Sequence, residues 1–245
     1  MTERRILKLS GKDAKDFLQG LITNDVNRIG NGLVYAAILT PQGKYICDFF
    51  LVELGDAILL DVADSHADAL IARLNMYKLR ADVAIEQTAL CLHRGLGPAP
   101  DDGYADPRHP DLGWRAYRDA PQTDDNVDWT GLRVKHLIPE TGIELTSDTF
   151  ILEVGFERLG GVDFRKGCYV GQEVTARMKH KTELRKGLAR VAVDGDVEPG
   201  TEITANGKPV GVLLSRAGGE ALAYLRFDRA AGDMVAGEAK ITRSA

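Results

Sequence analysis

The sequence has 245 residues, 44% of them hydrophobic and 27% charged, and a formal net charge of -5 at pH 7. This composition is typical of a folded protein with one large core or two unequal ones. The net negative charge argues against binding of nucleic acid through bulk charge, which leaves a local basic patch as the remaining route to such a partner.

The beginning of the chain and its apolar runs predict where the protein works. The first residues, MTERRILKLSG, are charged and lead directly into domain-like sequence, without the apolar segment of a signal peptide or a long Arg/Ser-rich amphipathic presequence. Apolar runs such as AILL and YAAIL are too short to cross a bilayer. We therefore expect a cytoplasmic protein with no membrane partner.

The first part of the chain alternates strand-like and helix-like segments. Residues 6–9 predict a short strand, after which Ser10 is a candidate helix cap. Residues 33–54 predict two strands joined at the turn PQGK. A third strand at 57–62 precedes Asp64, the candidate cap of a longer helix. This alternation predicts an α+β fold.

The second part of the chain changes character. Residues 94–111 are rich in Gly, Pro and Asp and predict an irregular surface loop. From about Leu184, short β-like runs alternate with glycine turns, and Asn206-Gly207 is typical of a hairpin turn. We therefore predict an α+β region over residues 1–182 and a small antiparallel β-barrel over residues 183–245.

Three cysteines, Cys47, Cys91 and Cys168, are widely spaced along the chain. They are too sparse for a disulfide framework, which agrees with a reducing compartment. An iron–sulfur cluster within one chain normally takes four ligands, and the sequence has no CxxC, HExxH or paired-histidine spacing. We therefore expect no resident metal, and we expect Cys47 and Cys91, which lie in strand-like apolar runs, to pack in the core.

Cys168 lies in the segment FRKGCYVGQEVTARMKH, between Gly167 and Gly171. The preceding cations Arg165 and Lys166, and a helix predicted from about residue 172, would favour a thiolate. The residues leave two interpretations open, a reactive thiol or a small buried residue in a glycine-rich turn. A reactive thiol could be a transient ligand for an iron–sulfur intermediate, a redox-sensitive group or a nucleophile.

The octapeptide KGCYVGQE resembles the signature of the YgfZ family of GcvT-like folate-binding proteins. Similarity extends over nearly the whole chain, through LSGKDAKDFLQGLITNDV, AAILTPQGKYICDFF, LNMYKLRADV, FILEVGFERLGGVDF and the C-terminal barrel. The resemblance implies a GcvT/YgfZ-like α+β folate-binding fold with antiparallel sheets and helices, followed by a small C-terminal antiparallel β-barrel.

The resemblance also implies a function. It indicates a protein that binds tetrahydrofolate or a derivative and assists iron–sulfur cluster assembly or repair, and whose partners are assembly proteins or cluster-containing client enzymes, such as those of tRNA modification. It is then not a classical turnover enzyme. The alternative is a folate-dependent aminomethyl transferase, because LEVG is also similar to the glycine-cleavage relatives, although those lack the cysteine. We expect no nucleic-acid partner, because no aromatic-rich strip accompanies the basic run after the signature.

The same resemblance assigns residues to the site. It implies Cys168 and Lys166 as the reactive thiol and its activating cation, within a motif made of Lys166, Gly167, Cys168, Tyr169, Val170, Gly171, Gln172 and Glu173. Tyr169, Gln172 and Arg80 are implied contacts of the folate.

Two carboxylates complete the predicted folate site. Glu153 is the candidate that would accept two hydrogen bonds from the edge of a reduced pterin. Its alternative role is that of an exposed strand glutamate. Asp25 is the second candidate, and its alternative role is that of a simple turn or cap residue.

Overall fold

The computed structural model describes residues 3–123, 126–181 and 183–244. Contacts divide the chain into two compact units. The sheet unit comprises Thr2–Val127 and Phe156–Ala176, and the barrel unit comprises Asp128–Gly155 and Arg177–Ala245. The boundary predicted from the sequence, between an α+β region over residues 1–182 and a barrel over residues 183–245, stays a prediction. Among the described residues, no helix combines the length and apolar character needed to cross a membrane.

The sheet unit is built on five strands: β1 (Arg4–Ser10), β2 (Val34–Leu39), β3 (Tyr45–Leu54), β4 (Ala57–Ala63) and β5 (Ala84–Gln87). They follow the order β2-β3-β4-β1-β5, and all neighbours are antiparallel. Two helices, α1 (Ala14–Gln19) and α2 (Asp64–Lys78), contribute Leu18, Leu70 and Leu74 to the core of this unit. These apolar positions recur at helical spacing, which is why one face of each helix is buried.

Three shorter strands form a second sheet in this unit: β6 (Cys91–Gly95), β7 (Tyr104–Ala105) and β8 (Trp114–Arg118), in the order β6-β8-β7. Short helical turns also occur, and Pro110–Leu112 is one of them. Cys47 of β3 is buried as expected, but Cys91 is partly exposed. The expectation of a core position for Cys91 is wrong, because every residue of β6 is only half-buried.

A buried aspartate joins the two sheets of this unit. Asp61 of β4 is fully buried and accepts hydrogen bonds from Arg4 Nε at 2.6 Å, Arg115 Nη1 at 2.8 Å and Tyr117 hydroxyl at 3.2 Å. Burial alone would raise the pKa of Asp61, but the two guanidinium groups outweigh it and lower that pKa. The charge is therefore compensated where β4 and β1 meet β8.

The barrel unit contains six strands: β9 (Lys186–Asp194), β10 (Glu202–Ala205), β11 (Lys208–Ala217), β12 (Glu220–Arg226), β13 (Met234–Ala236) and β14 (Ala239–Arg243). They close into a barrel in the order β10-β11-β12-β9-β14-β13. Asn206 and Gly207, with φ of 50° and 70°, turn β10 into β11 as predicted. The predicted α+β fold with a C-terminal antiparallel barrel is confirmed.

Two further helices complete the elements that matter here. Helix α3 (Trp129–His136) belongs to the barrel unit, and α4 (Gln172–Lys181) spans the point at which the chain passes from one unit to the other. A single 3-10 turn, Ile151–Val154, ends at Gly155 with a left-handed φ of 83°. That turn carries Glu153.

Candidate functional site

The KGCYVGQE segment forms an irregular loop that ends where α4 begins at Gln172. Cys168 is exposed on this loop. The interpretation of Cys168 as a small buried residue is therefore excluded. An exposed thiol can reach a partner molecule, which a buried thiol cannot do without local unfolding.

Lys166 anchors the loop to the end of α1. Its side chain is buried, and Nζ donates hydrogen bonds to the carbonyl oxygens of Gln19 at 2.7 Å and Ile22 at 2.6 Å. The ammonium also lies 4.9 Å from the ring centroid of Tyr169. Burial lowers the pKa of Lys166 to about 8, against the opposing effects of Asp25 and Asp163. These contacts hold the loop by its N-terminal side, two residues before Cys168.

Asp163 shapes the turn that enters the motif, a role that no local pattern in the sequence indicates. Its Oδ1 accepts a hydrogen bond from the backbone N–H of Arg165 at 2.7 Å, and its Oδ2 pairs with Arg28. Its own N–H donates to the carbonyl of Thr23 at 3.0 Å. The side chain of Arg165 is 87% exposed, so this cation lies on the surface close in sequence to Cys168.

The other predicted residues of the sheet unit have distinct surroundings. Tyr169 is buried, and burial raises the pKa of its hydroxyl to about 12. Gln172 opens α4, and its N–H donates to the carbonyl of Tyr169 at 3.2 Å. Asp25 caps a 3-10 helix by accepting from the N–H of Asn27 at 3.0 Å, which lowers the pKa of its carboxyl. The cap role therefore holds for Asp25, and ligand binding by it stays a prediction.

The structure brings only some of these residues together. Gln19 links two of them, since its carbonyl accepts from Lys166 and its side-chain amide donates to Asp25 at 3.0 Å. Arg80 is exposed beyond the end of α2, and within the described residues it makes no hydrogen bond or ion pair with another predicted site residue. Its role as a folate contact stays a prediction.

Glu153 lies in the barrel unit and is buried, so it is not an exposed strand glutamate. The hydroxyl of Tyr224 donates to its Oε2 at 2.5 Å, and Lys186 Nζ lies 3.8 Å from its Oε1. Burial and the bond to Glu153 raise the pKa of Tyr224. This carboxylate is therefore paired with a neutral donor and a cation, neither of which was identifiable from the sequence.

A pocket of about 220 Å³ lies beside these two partners of Glu153. Its lining is mixed and belongs to the barrel unit, with the apolar Ile143, Val212 and Leu214 beside the polar Glu144, Thr146, Asp148, Thr149, Lys186 and Tyr224. The pocket and Glu153 thus share Tyr224 and Lys186 as neighbours.

Comparison with known proteins gives a consistent result. Residues 185–245 match the family model described as CAF17, C-terminal beta-barrel domain. The chain is 30% identical over 218 residues to the mitochondrial iron-sulfur cluster assembly factor IBA57 homolog of Mycosarcoma maydis, over 76% of this chain and 54% of that protein. It is 30% identical over 278 residues to mitochondrial IBA57 of Mus musculus, over 94% of this chain and 78% of that protein. The chain thus spans only about half the length of the fungal relative.

A solved structure shares the fold. Aminomethyltransferase T of the glycine cleavage system from Bartonella henselae superposes with a TM-score of 0.76 over 98% of this chain and 82% of that chain, at 14% identity. The fold is thus that of a GcvT-like α+β protein with a closed C-terminal barrel. By sequence, the chain belongs to the YgfZ/CAF17-like family, together with the IBA57 proteins.

The relatives correct one expectation. The curated proteins from Mycosarcoma maydis, Mus musculus and Homo sapiens are all named as mitochondrial. The predicted cytoplasmic location is therefore wrong. That prediction rested on the charged first residues, read as neither an apolar signal segment nor an amphipathic presequence, and the mitochondrial relatives overturn it.

Proposed function

We propose that this chain is an accessory protein of iron–sulfur cluster assembly or repair that binds tetrahydrofolate or a derivative and uses Cys168 as a reactive thiol. The observation that carries the proposal is the exposure of Cys168 on a loop anchored by Lys166. Relatives named as iron-sulfur cluster assembly factors support it. Its partners are then assembly proteins or cluster-containing client enzymes, including enzymes that modify tRNA.

A single exposed cysteine limits the chemistry that Cys168 can perform. A thiolate binds iron, but a single cysteine supplies only one of the four ligands that a cluster normally takes. The remaining ligands must then come from a partner, which requires the thiol to be exposed. Among the three cysteines, Cys168 alone is exposed, while Cys47 is buried and Cys91 is partly exposed.

Glu153 is the proposed pterin-binding residue, and its surroundings fit that role. A carboxylate has about four acceptor sites, and the hydrogen bond from Tyr224 engages one of them, on Oε2, while Lys186 lies too far from Oε1 for a hydrogen bond. At least one site on each oxygen therefore remains for two neighbouring N–H donors of a reduced pterin. When bound, tetrahydrofolate would supply a carrier for one-carbon groups. Asp25, Tyr169, Gln172 and Arg80 remain proposed contacts.

Titration with tetrahydrofolate, followed by the intrinsic fluorescence of Trp114 and Trp129, tests the folate part. We expect a saturable change in the wild-type protein and a large loss of affinity in Glu153→Gln. If the fluorescence of the wild-type protein does not change on titration, the proposal that this chain binds folate is wrong. Product formation from an aminomethyl donor and tetrahydrofolate would instead favour the transferase, and we expect none.

A further inference from the structure

The bond between Tyr224 and Glu153 is the shortest polar contact of the barrel unit's candidate site. Tyr224 lies on β12, and Glu153 lies 71 residues earlier in the 3-10 turn Ile151–Val154. The Tyr224 hydroxyl donates a hydrogen bond to Oε2, and hydrogen bonds to a carboxylate are stronger than those between neutral groups. A tyrosine hydroxyl is protonated at neutral pH and can donate, and burial and this bond raise the pKa of Tyr224 further.

The second partner of Glu153 is held less firmly. Lys186 Nζ lies 3.8 Å from Oε1, and the Lys186 side chain is 46% exposed, whereas that of Glu153 is 6% exposed. A half-exposed ammonium at that distance restrains the carboxylate only weakly. Within the part of the chain that the structure describes, Tyr224 is thus the group that fixes the orientation of the Glu153 carboxylate.

The backbone at Glu153 is held by a close contact of its own. Gly187 packs against the Glu153 carbonyl so closely that a Cβ there would lie 2.6 Å from the carbonyl oxygen. That contact holds the main chain, whereas the hydroxyl of Tyr224 holds the carboxylate by a hydrogen bond.

We propose that Tyr224 is a positioning residue for ligand binding: its hydroxyl orients the Glu153 carboxylate so that both oxygens face two adjacent N–H donors of a planar heterocycle. The inference rests on the proposed function, in which that heterocycle is a reduced pterin. Preorganisation of this kind lowers the entropic cost of binding, because the acceptor no longer has to be ordered by the ligand. Tyr224 itself need not touch the ligand.

A double-mutant cycle tests the proposal by measuring tetrahydrofolate affinity in the wild type, Tyr224→Phe, Glu153→Gln and the double variant. We expect Tyr224→Phe to weaken binding ~10-fold, the size of effect that loss of one charge-assisted hydrogen bond produces. In the Glu153→Gln background, the same change should alter affinity less than about twofold, because there is no longer a carboxylate to orient. The thermal midpoint of each variant is recorded alongside.

Tyr117→Phe is the matched control, since it also removes a tyrosine–carboxylate bond, at Asp61 in the sheet unit. It should leave affinity unchanged. The proposal is overturned if tetrahydrofolate binds the wild type but Tyr224→Phe binds it equally well, or if the effects of the two substitutions simply multiply. If the wild type binds no tetrahydrofolate, the proposed folate function fails first and the inference fails with it.

Discussion

Gly43 and Gly171 pack against each other where the PQGK turn meets the KGCYVGQE loop. A Cβ on Gly171 would lie 2.5 Å from the carbonyl oxygen of Thr40 and 3.3 Å from Gly43 Cα. A Cβ on Gly43 would lie 2.8 Å from the Cβ of Val174. Both glycines have left-handed φ, 78° for Gly43 and 85° for Gly171. The two sequence motifs are therefore a single structural feature that holds the thiol loop on the β2–β3 hairpin.

Gly171→Ala should cost more stability than the positive φ of Gly171 alone explains. A methyl group there meets a backbone carbonyl that cannot easily move, in addition to the cost of a positive φ. We expect a loss of about 3 kcal/mol in the free energy of unfolding, measured by chemical denaturation. Gly142→Ala is the control, because Gly142 has a φ of 83° and a Cβ there would have no described neighbour within 4 Å. That control should lose about 1 kcal/mol, and equal losses in both variants would show that the close approach of Gly171 to the Thr40 carbonyl contributes nothing.

Lys166→Met tests the anchoring of the thiol loop. The substitution removes both hydrogen bonds to the Gln19 and Ile22 carbonyls and leaves these groups without that donor. We expect a loss of about 2 kcal/mol in unfolding free energy and faster modification of Cys168 by a thiol reagent. Lys12→Met, at an exposed position of the same unit, should change neither quantity. An unchanged modification rate in Lys166→Met would contradict the anchoring role.

Asp106 should give the protein a measurable stability loss in acid. Burial opposes its ionisation, yet Arg108, with bonds of 2.7 Å and 3.0 Å, lowers the pKa of Asp106 to about 2. Because the folded pKa lies below the unfolded one, the stabilisation is complete above about pH 4 and is lost as the pH falls towards 2. We expect the stability difference between wild type and Asp106→Asn to shrink by about 2 kcal/mol over that window.

A stability difference between wild type and Asp106→Asn that stays flat from pH 4 to pH 2 would contradict the role assigned to the Asp106–Arg108 pair.

The features predicted correctly from the sequence are local ones. The Asn206-Gly207 turn carries its own conformational preference, and the alternation of strands and turns after Leu184 predicted the barrel. The predictions of the helix caps are less accurate. Helix α1 follows Asp13 and not Ser10, because Ser10 ends β1, and Asp64 is the first residue of α2 rather than its cap. A difference of one or a few residues at an element's end is expected from sequence alone.

The features that the sequence could not predict depend on distant contacts. The activation of Cys168 by Lys166 stays a prediction, whereas the bonds of Lys166 to carbonyls 144 and 147 residues earlier in the chain had no sign in the sequence. Tyr224 and Asp163 had no local signal for their roles, because each acts through partners that only the folded chain brings close. Side-chain periodicity reports which face of an element is buried, and it does not report which buried polar groups will pair.

The most direct test of the proposed function is the activity of a cluster-containing client enzyme in cells that carry Cys168→Ala in place of the wild-type protein. Cys91→Ala is the matched control, since that thiol lies on strand β6, outside the KGCYVGQE loop, and is only partly exposed. We expect client activity in Cys168→Ala cells to fall to the level of cells that lack the protein. The purified Cys168→Ala protein should still bind tetrahydrofolate as the wild type does, and client activity in Cys91→Ala cells should equal that of wild-type cells. Full client activity with a stably expressed Cys168→Ala protein would contradict the role of the thiol.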